Sequence, residues 1–136
     1  MKLEYLHDMT PNGKFKDVVS ENLVRLWDFG PKESKQFQNL INDFINNDQM
    51  EKLALHKQDF IKPLNCKLTL VKDNVNNGIS RINEDDFICR LNNEGYLHII
   101  DLVQPFVKED SGGYQWLDEK ANVSDIDFLF SPGETW

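Results

Sequence analysis

Residues 23–46, LVRLWDFGPKESKQFQNLINDFIN, carry the two patterns on which the fold turns. In the opening run, Leu23, Trp27 and Phe29 alternate with Val24 and Leu26, which predicts a strand buried on both faces. Gly30 and Pro31 break that run, and Pro31 suits a first helical position because its missing N–H would go unpaired there anyway. Phe37, Leu40, Ile41, Phe44 and Ile45 then recur at steps of three and four. That spacing predicts a helix with one apolar stripe and with Lys35, Gln38, Asn39, Asn42, Asp43 and Asn46 on the opposite side. Asn46, Asn47 and Asp48 end it, since short polar side chains compete for backbone hydrogen bonds and tolerate left-handed backbone.

Outward from this stretch the chain reads mostly as strands. Leu3–Leu6 forms one, followed by a turn signal at Pro11, Asn12 and Gly13. Leu53–His56, Cys66–Val71, Ile79–Ile82, Phe87–Leu91, Tyr114–Leu117 and Ile126–Phe130 form others, with turns at Pro63–Asn65 and Asn74–Gly78. Tyr96, Ile99, Ile100, Val103, Phe106 and Val107 fall on one helical stripe, whereas Ile99 and Ile100 together break a strand alternation. A second helix is therefore predicted, with Pro105 in its last turn, where a missing N–H does least harm. The expected fold is a single α+β domain spanning residues 1–136. It has a mainly antiparallel sheet of about six or seven strands and two helices packed on one face.

Composition excludes several function classes. The 136 residues are 40% hydrophobic, enough for a buried core, so global disorder is ruled out. Fifteen Lys and Arg stand against 23 Asp and Glu, a net charge of −8 that repels phosphates and disfavours nucleic acid. No apolar run is long enough for a membrane span, and Lys2, Glu4 and Asp8 interrupt any signal-peptide core, so the mature chain is expected to begin at Met1. Cys66 and Cys89 lie in strand-like apolar runs and are expected to be buried thiols in a reducing cytoplasm. The charge is unevenly spread: residues 1–72 hold 11 basic and 10 acidic side chains, residues 73–136 hold 4 and 13.

Signatures of catalysis are mostly missing. There is no phosphate-cradling glycine run, no nucleophile elbow and no zinc-type spacing among His7, His56, His98 and the cysteines, so neither a metal nor a cofactor is expected. Glu94, His98 and Asp101 stand at successive steps of four and three on the second helix. That spacing could hold an imidazole for acid, base or ligand work, and it is equally the polar stripe that faces water. Asp125 and Asp127 share one face of a strand and could take a hard cation, although a solvated outer face looks the same and no EF-hand-type loop accompanies them. Trp27 is expected in the core, Trp116 beside Gly112 and Gly113 at a cleft or interface, and Trp136 folded back on the core.

The string ENLVRLWD, with Glu21, Asn22, Leu23, Leu26, Trp27 and Asp28, is similar to a stretch of the barstar family of acidic intracellular ribonuclease inhibitors. The match covers eight positions and extends to neither side, so it implies no fold for the rest of the chain.

Three functions remain open. One is a cytoplasmic protein-binding module of inhibitor or immunity type. It would engage a basic partner through an acidic surface drawn from Asp85, Asp86, Asp110, Asp118, Glu119, Asp125 and Asp127, with Trp116 beside them. The others are a small enzyme acting on a small molecule at a cleft near His98 or Gly113, and a homodimeric structural subunit. Of these the binding module is expected, because it asks only for shape and charge and not for convergent catalytic groups.

Overall fold

A computed structural model describes residues 1–7, 22–108, 113–122 and 126–133. The order is β1 (Lys2–His7), β2 (Asn22–Trp27), α1 (Pro31–Asn46), β3 (Lys52–Ala54), a 3₁₀ turn (Leu55–Lys57), β4 (Lys62–Pro63), β5 (Lys67–Lys72), β6 (Gly78–Arg81), β7 (Asp86–Leu91), α2 (Asn93–Lys108), β8 (Gln115–Trp116) and β9 (Asp127–Ser131). The strands form a five-stranded sheet, β4-β1-β2-β9-β8, and a four-stranded sheet, β3-β5-β7-β6. An antiparallel bridge between Ile79 and Ile126 joins them.

The α+β class is as expected, but the sheet is not. Nine described strands in two mixed sheets replace six or seven in one, and β1–β4, β2–β9 and β5–β7 pair in parallel. Alternation along a strand reports which residues face the core. It does not report the direction of the neighbour, which the path of the whole chain sets. The two-residue strands β4 and β8 are too short to alternate, and Pro63 fits β4 because that strand is an edge.

The helix of residues 31–46 forms as its stripe requires. Pro31 opens it, and the Gly30 N–H donates to the Glu33 carboxylate at 3.2 Å. Phe37, Ile41 and Phe44 are fully buried, and Leu40 and Ile45 flank them half-buried. Gln38 departs from expectation: it is buried between the helices, where its carboxamide donates to Gln104 Oε1 at 2.6 Å and to the Ile100 carbonyl at 3.1 Å. At its end Asn47 takes an extended backbone, not a left-handed one. In α2, Asn92 accepts the Gly95 N–H at 2.8 Å as an N-cap, and Pro105 lies in the last turn. Both helices reach the same core, where Phe37 and Phe106 pack on Phe130 with ring centroids 5.5 and 5.3 Å away.

Two strand-level corrections matter for the site. Asp28 has φ 55°, a left-handed backbone that reverses the alternation of β2. Phe29 therefore joins Val24 and Leu26 in the main core, 4.2 Å from Phe130 by ring centroid, instead of lying with Leu23 and Trp27. Trp27 is half-buried on the other face of the five-stranded sheet, with the Arg25 guanidinium 4.2 Å and the Lys2 ammonium 4.9 Å from its ring centroid. That outer face also carries a small cluster in which Leu23 and Leu129 are fully buried and Leu6 and Trp116 pack against them. The turn signal at Pro11–Gly13, Gly112 and Trp136 lie outside the described residues, as do Asp110 and Asp125.

Candidate functional site

The β8–β9 corner brings two carboxylates within electrostatic reach of one another. Gln115 pairs with Phe130 and Trp116 with Leu129, and the Leu117 N–H donates to the Phe128 carbonyl at 2.8 Å. β8 ends at Trp116, and in the turn that follows the Asp118 carboxylate accepts from the Phe128 backbone N–H and lies close enough to Asp127 to feel its charge. Neither aspartate is ion-paired with a described residue. Burial first, and the Asp127 charge second, push the Asp118 carboxyl up to about 6. Beside the pair, Tyr114 and Trp116 meet edge to face at 5.9 Å, Trp116 half-buried and Tyr114 exposed.

Glu119, next along, reaches across to α2, where its Oε2 accepts from His98 Nε2 at 2.7 Å. The imidazole is thus held by a carboxylate from a distant segment and not by Glu94 or Asp101, which lie exposed on the helix to either side. No intrahelical contact of His98 with either appears among the described side chains, and three converging catalytic groups are not assembled there. Asp85 and Asp86 sit at the start of β7, where Asp86 is opposite Lys67 and the Asp85 carbonyl accepts the Lys67 N–H at 2.7 Å. Of the five acidic residues named from sequence that lie among the described residues, the fold therefore gathers Asp118, Glu119 and Asp127 at one corner.

The thiols are placed as expected. Cys66 and Cys89 are buried and unbridged. Burial, with help from Glu4 and Asp85, pushes the Cys66 thiol up to about 12, and burial raises that of Cys89 as well, so neither offers a thiolate at neutral pH. No group of three or more His, Cys, Asp or Glu side chains able to hold a metal ion is present among the described residues.

A polar cleft of about 560 Å³, which sequence reasoning missed, opens at the carboxyl ends of β5 and β7 ahead of α2. Lys72, Asp73, Asn74, Asn92, Asn93 and Glu94 line it. Its ends are tied down: Lys72 Nζ donates to the Asn47 carbonyl at 2.8 Å, and the Asn92 N–H donates to Asn76 Oδ1 at 2.9 Å. The asparagines clustered at residues 74–77 and 92–93 were the only sequence signal, and in isolation they read as turns.

No protein-family model, curated protein or solved structure matches this chain.

Proposed function

We propose that the chain is a protein-binding module of inhibitor or immunity type that engages a basic partner at the β8–β9 corner. One observation supports this reading above the others: Asp118 lies close enough to Asp127 for the two charges to repel, no cation among the described residues pairs with either, and Trp116 and Tyr114 stand beside them. Like charges held close together repel, so a Lys or Arg from a partner would relieve a repulsion that the isolated chain must carry. Aromatic rings at the margin suit such an anchor, since they add apolar area and a cation-attracting face. A cytoplasmic setting fits two unbridged thiols, and no described helix is long and apolar enough to cross a membrane.

The test is association kinetics. The partner is first identified by co-purification from the native cell at low salt. The purified pair is then compared with a variant carrying Asp118→Lys and Asp127→Lys, shown by circular dichroism to remain folded. Association should slow by roughly tenfold or more at low salt, with the difference shrinking at high salt as screening shortens. An unchanged rate at low salt removes the reading. A second reading, a small enzyme, draws on the cleft before α2, because ligands of open sheets with strand-to-helix connections collect outside the carboxyl ends of the strands. Protection of the Lys72, Asn92 and Asn93 amides by a small polar molecule would favour it.

A further inference from the structure

The asparagines around the β5–β6 turn are held unequally. Asn76 Oδ1 accepts the Asn92 N–H at 2.9 Å, and Asn92 Oδ1 in turn accepts the Gly95 N–H at 2.8 Å, so both carboxamides are fixed by the start of α2. Asn77 is exposed, and its side chain meets one hydrogen-bond partner among the described residues, Asn122 Nδ2, at 3.4 Å. A contact of that length, open to water, leaves the carboxamide able to turn. The main chain of Asn77 is held, with its N–H bonded to the Arg90 carbonyl at 2.9 Å. Gly78 follows as the first residue of β6, opposite Arg90 at the end of the β6–β7 ladder. It is buried there, but the end of a ladder opens at lower cost than its middle. Gly78 has φ 75°, a left-handed backbone that favours glycine, so the fold keeps a residue without Cβ directly after Asn77. No other asparagine among the described residues precedes a glycine.

We propose that Asn77 is a self-modification site, at which the Gly78 nitrogen converts the asparagine to aspartate and isoaspartate. When the end of the ladder opens, the Gly78 nitrogen gives its proton to a solvent base and attacks Asn77 Cγ. The new N–Cγ bond closes a five-membered imide ring. The Cγ–Nδ2 bond then breaks, and the side-chain nitrogen leaves as ammonia with a proton returned by solvent. Water opens the ring at either carbonyl. Cleavage of the N–Cγ bond gives aspartate, and cleavage of the bond from that nitrogen to the Asn77 main-chain carbonyl carbon gives isoaspartate. Nothing is oxidised or reduced, and water is the only co-reactant. The missing Cβ at residue 78 leaves the approach of its nitrogen to Cγ uncrowded. Either product puts a carboxylate where a neutral carboxamide stood, next to Asn76 and within reach of Asn122. Isoaspartate also adds a methylene to the main chain just before β6, which displaces Gly78 from its register with Arg90. The reaction takes place whether or not the β8–β9 corner docks a partner.

Incubation of the folded full chain in warm, mildly alkaline buffer, followed by peptide mapping with mass spectrometry and fragmentation to locate the change, tests the site. Residue 77 should gain the mass of an amide-to-acid exchange in two chromatographically distinct forms, one of them matching the Asn77→Asp variant. Product should accumulate there roughly tenfold or more faster than at Asn74, which is also exposed but precedes the β-branched Val75, because a side chain on the attacking residue raises the barrier. Asn12, which precedes Gly13 outside the described residues, falls in a different peptide and is scored separately. Asn77→Gln, shown by circular dichroism to remain folded, should abolish the change at this position, since its longer side chain would have to close a larger ring. A folded chain unchanged at residue 77, while the urea-unfolded chain changes there, overturns the proposal because the fold then protects the asparagine. Aspartate without isoaspartate also overturns it, since that product pattern belongs to direct hydrolysis by water.

Discussion

Arg25 donates from Nε and Nη2 to a single oxygen of Glu4, at 2.9 and 2.6 Å, across the β1–β2 ladder. Arg25 is only 1% exposed, and its guanidinium lies over the Trp27 ring. A charge taken so far out of water depends on its partners, and removing one leaves the other poorly solvated. Glu4→Ala should therefore lower stability by about 2 to 4 kcal/mol, below the full value for a buried pair because Glu4 keeps some exposure. The measurement is urea unfolding, read as a lower midpoint at unchanged slope. A loss under roughly 0.5 kcal/mol would mean that the other groups around Arg25 suffice.

On α1, two neighbouring apolar residues should differ in their response to truncation. Ile41 is fully buried, whereas Leu40 packs at the margin of the stripe. Ile41→Ala should cost about 2 to 5 kcal/mol and Leu40→Ala about 1 to 2, since the cavity left by Leu40 opens partly to water. Equal losses, measured by urea unfolding of both variants, would show that the helix is rotated from the orientation described.

Much of this was legible from spacing, and the exceptions have physical causes. Residues 37–45 and 96–107 carry enough turns to fix which side of each helix is buried, and β5 and β7 alternate clearly. Gln38 was misplaced because a helix facing two neighbours buries a wider arc than its apolar stripe, and a polar residue can fill it if its partner is Gln104. Phe29 was misplaced because one residue, Asp28, adopts a backbone that periodicity does not encode. At the corner, the excess of acid after residue 73 was visible in composition. The proximity of Asp118 to Asp127 was not, because it depends on the turn that follows the two-residue strand β8 and on its contact with Phe128.

Gly95 reverses the usual rule for a helix. Replacing glycine by alanine inside a helix ordinarily stabilises it by about 1 kcal/mol. Here an added Cβ would lie 2.7 Å from Asn76 Oδ1 and 3.1 Å from Leu91 Cβ. The Asn76 carboxamide cannot simply withdraw, because Oδ1 accepts the Asn92 N–H at the helix start. Gly95→Ala should destabilise by about 1 to 3 kcal/mol, the range of overpacked sites. A gain in thermal midpoint would show that the asparagine moves without loss.

Asp118 predicts a stability change whose sign depends on pH. Its carboxyl titrates near 6 in the folded chain, against an ordinary value of 3.8. The folded state therefore binds the proton more tightly than the unfolded one, and ionisation of this group weakens folding. The penalty is absent below about pH 4, where both states are protonated, grows as the pH rises through 6, and is complete by about pH 7. Asp118→Asn keeps an oxygen that can accept the backbone hydrogen bonds near Phe128 and removes the charge facing Asp127. Relative to the parent chain it should gain about 1 to 2 kcal/mol at pH 7.5, discounted from the full shift because the side chain is not wholly buried, and gain close to nothing at pH 4. Urea unfolding of both proteins at pH 4, 6 and 7.5 checks this. A gain of the same size at every pH would trace the effect to packing and not to charge. A loss at pH 7.5 would mean that the ionised carboxylate is a net stabiliser of the β8–β9 corner, and the opposition between Asp118 and Asp127 would then have no energetic consequence.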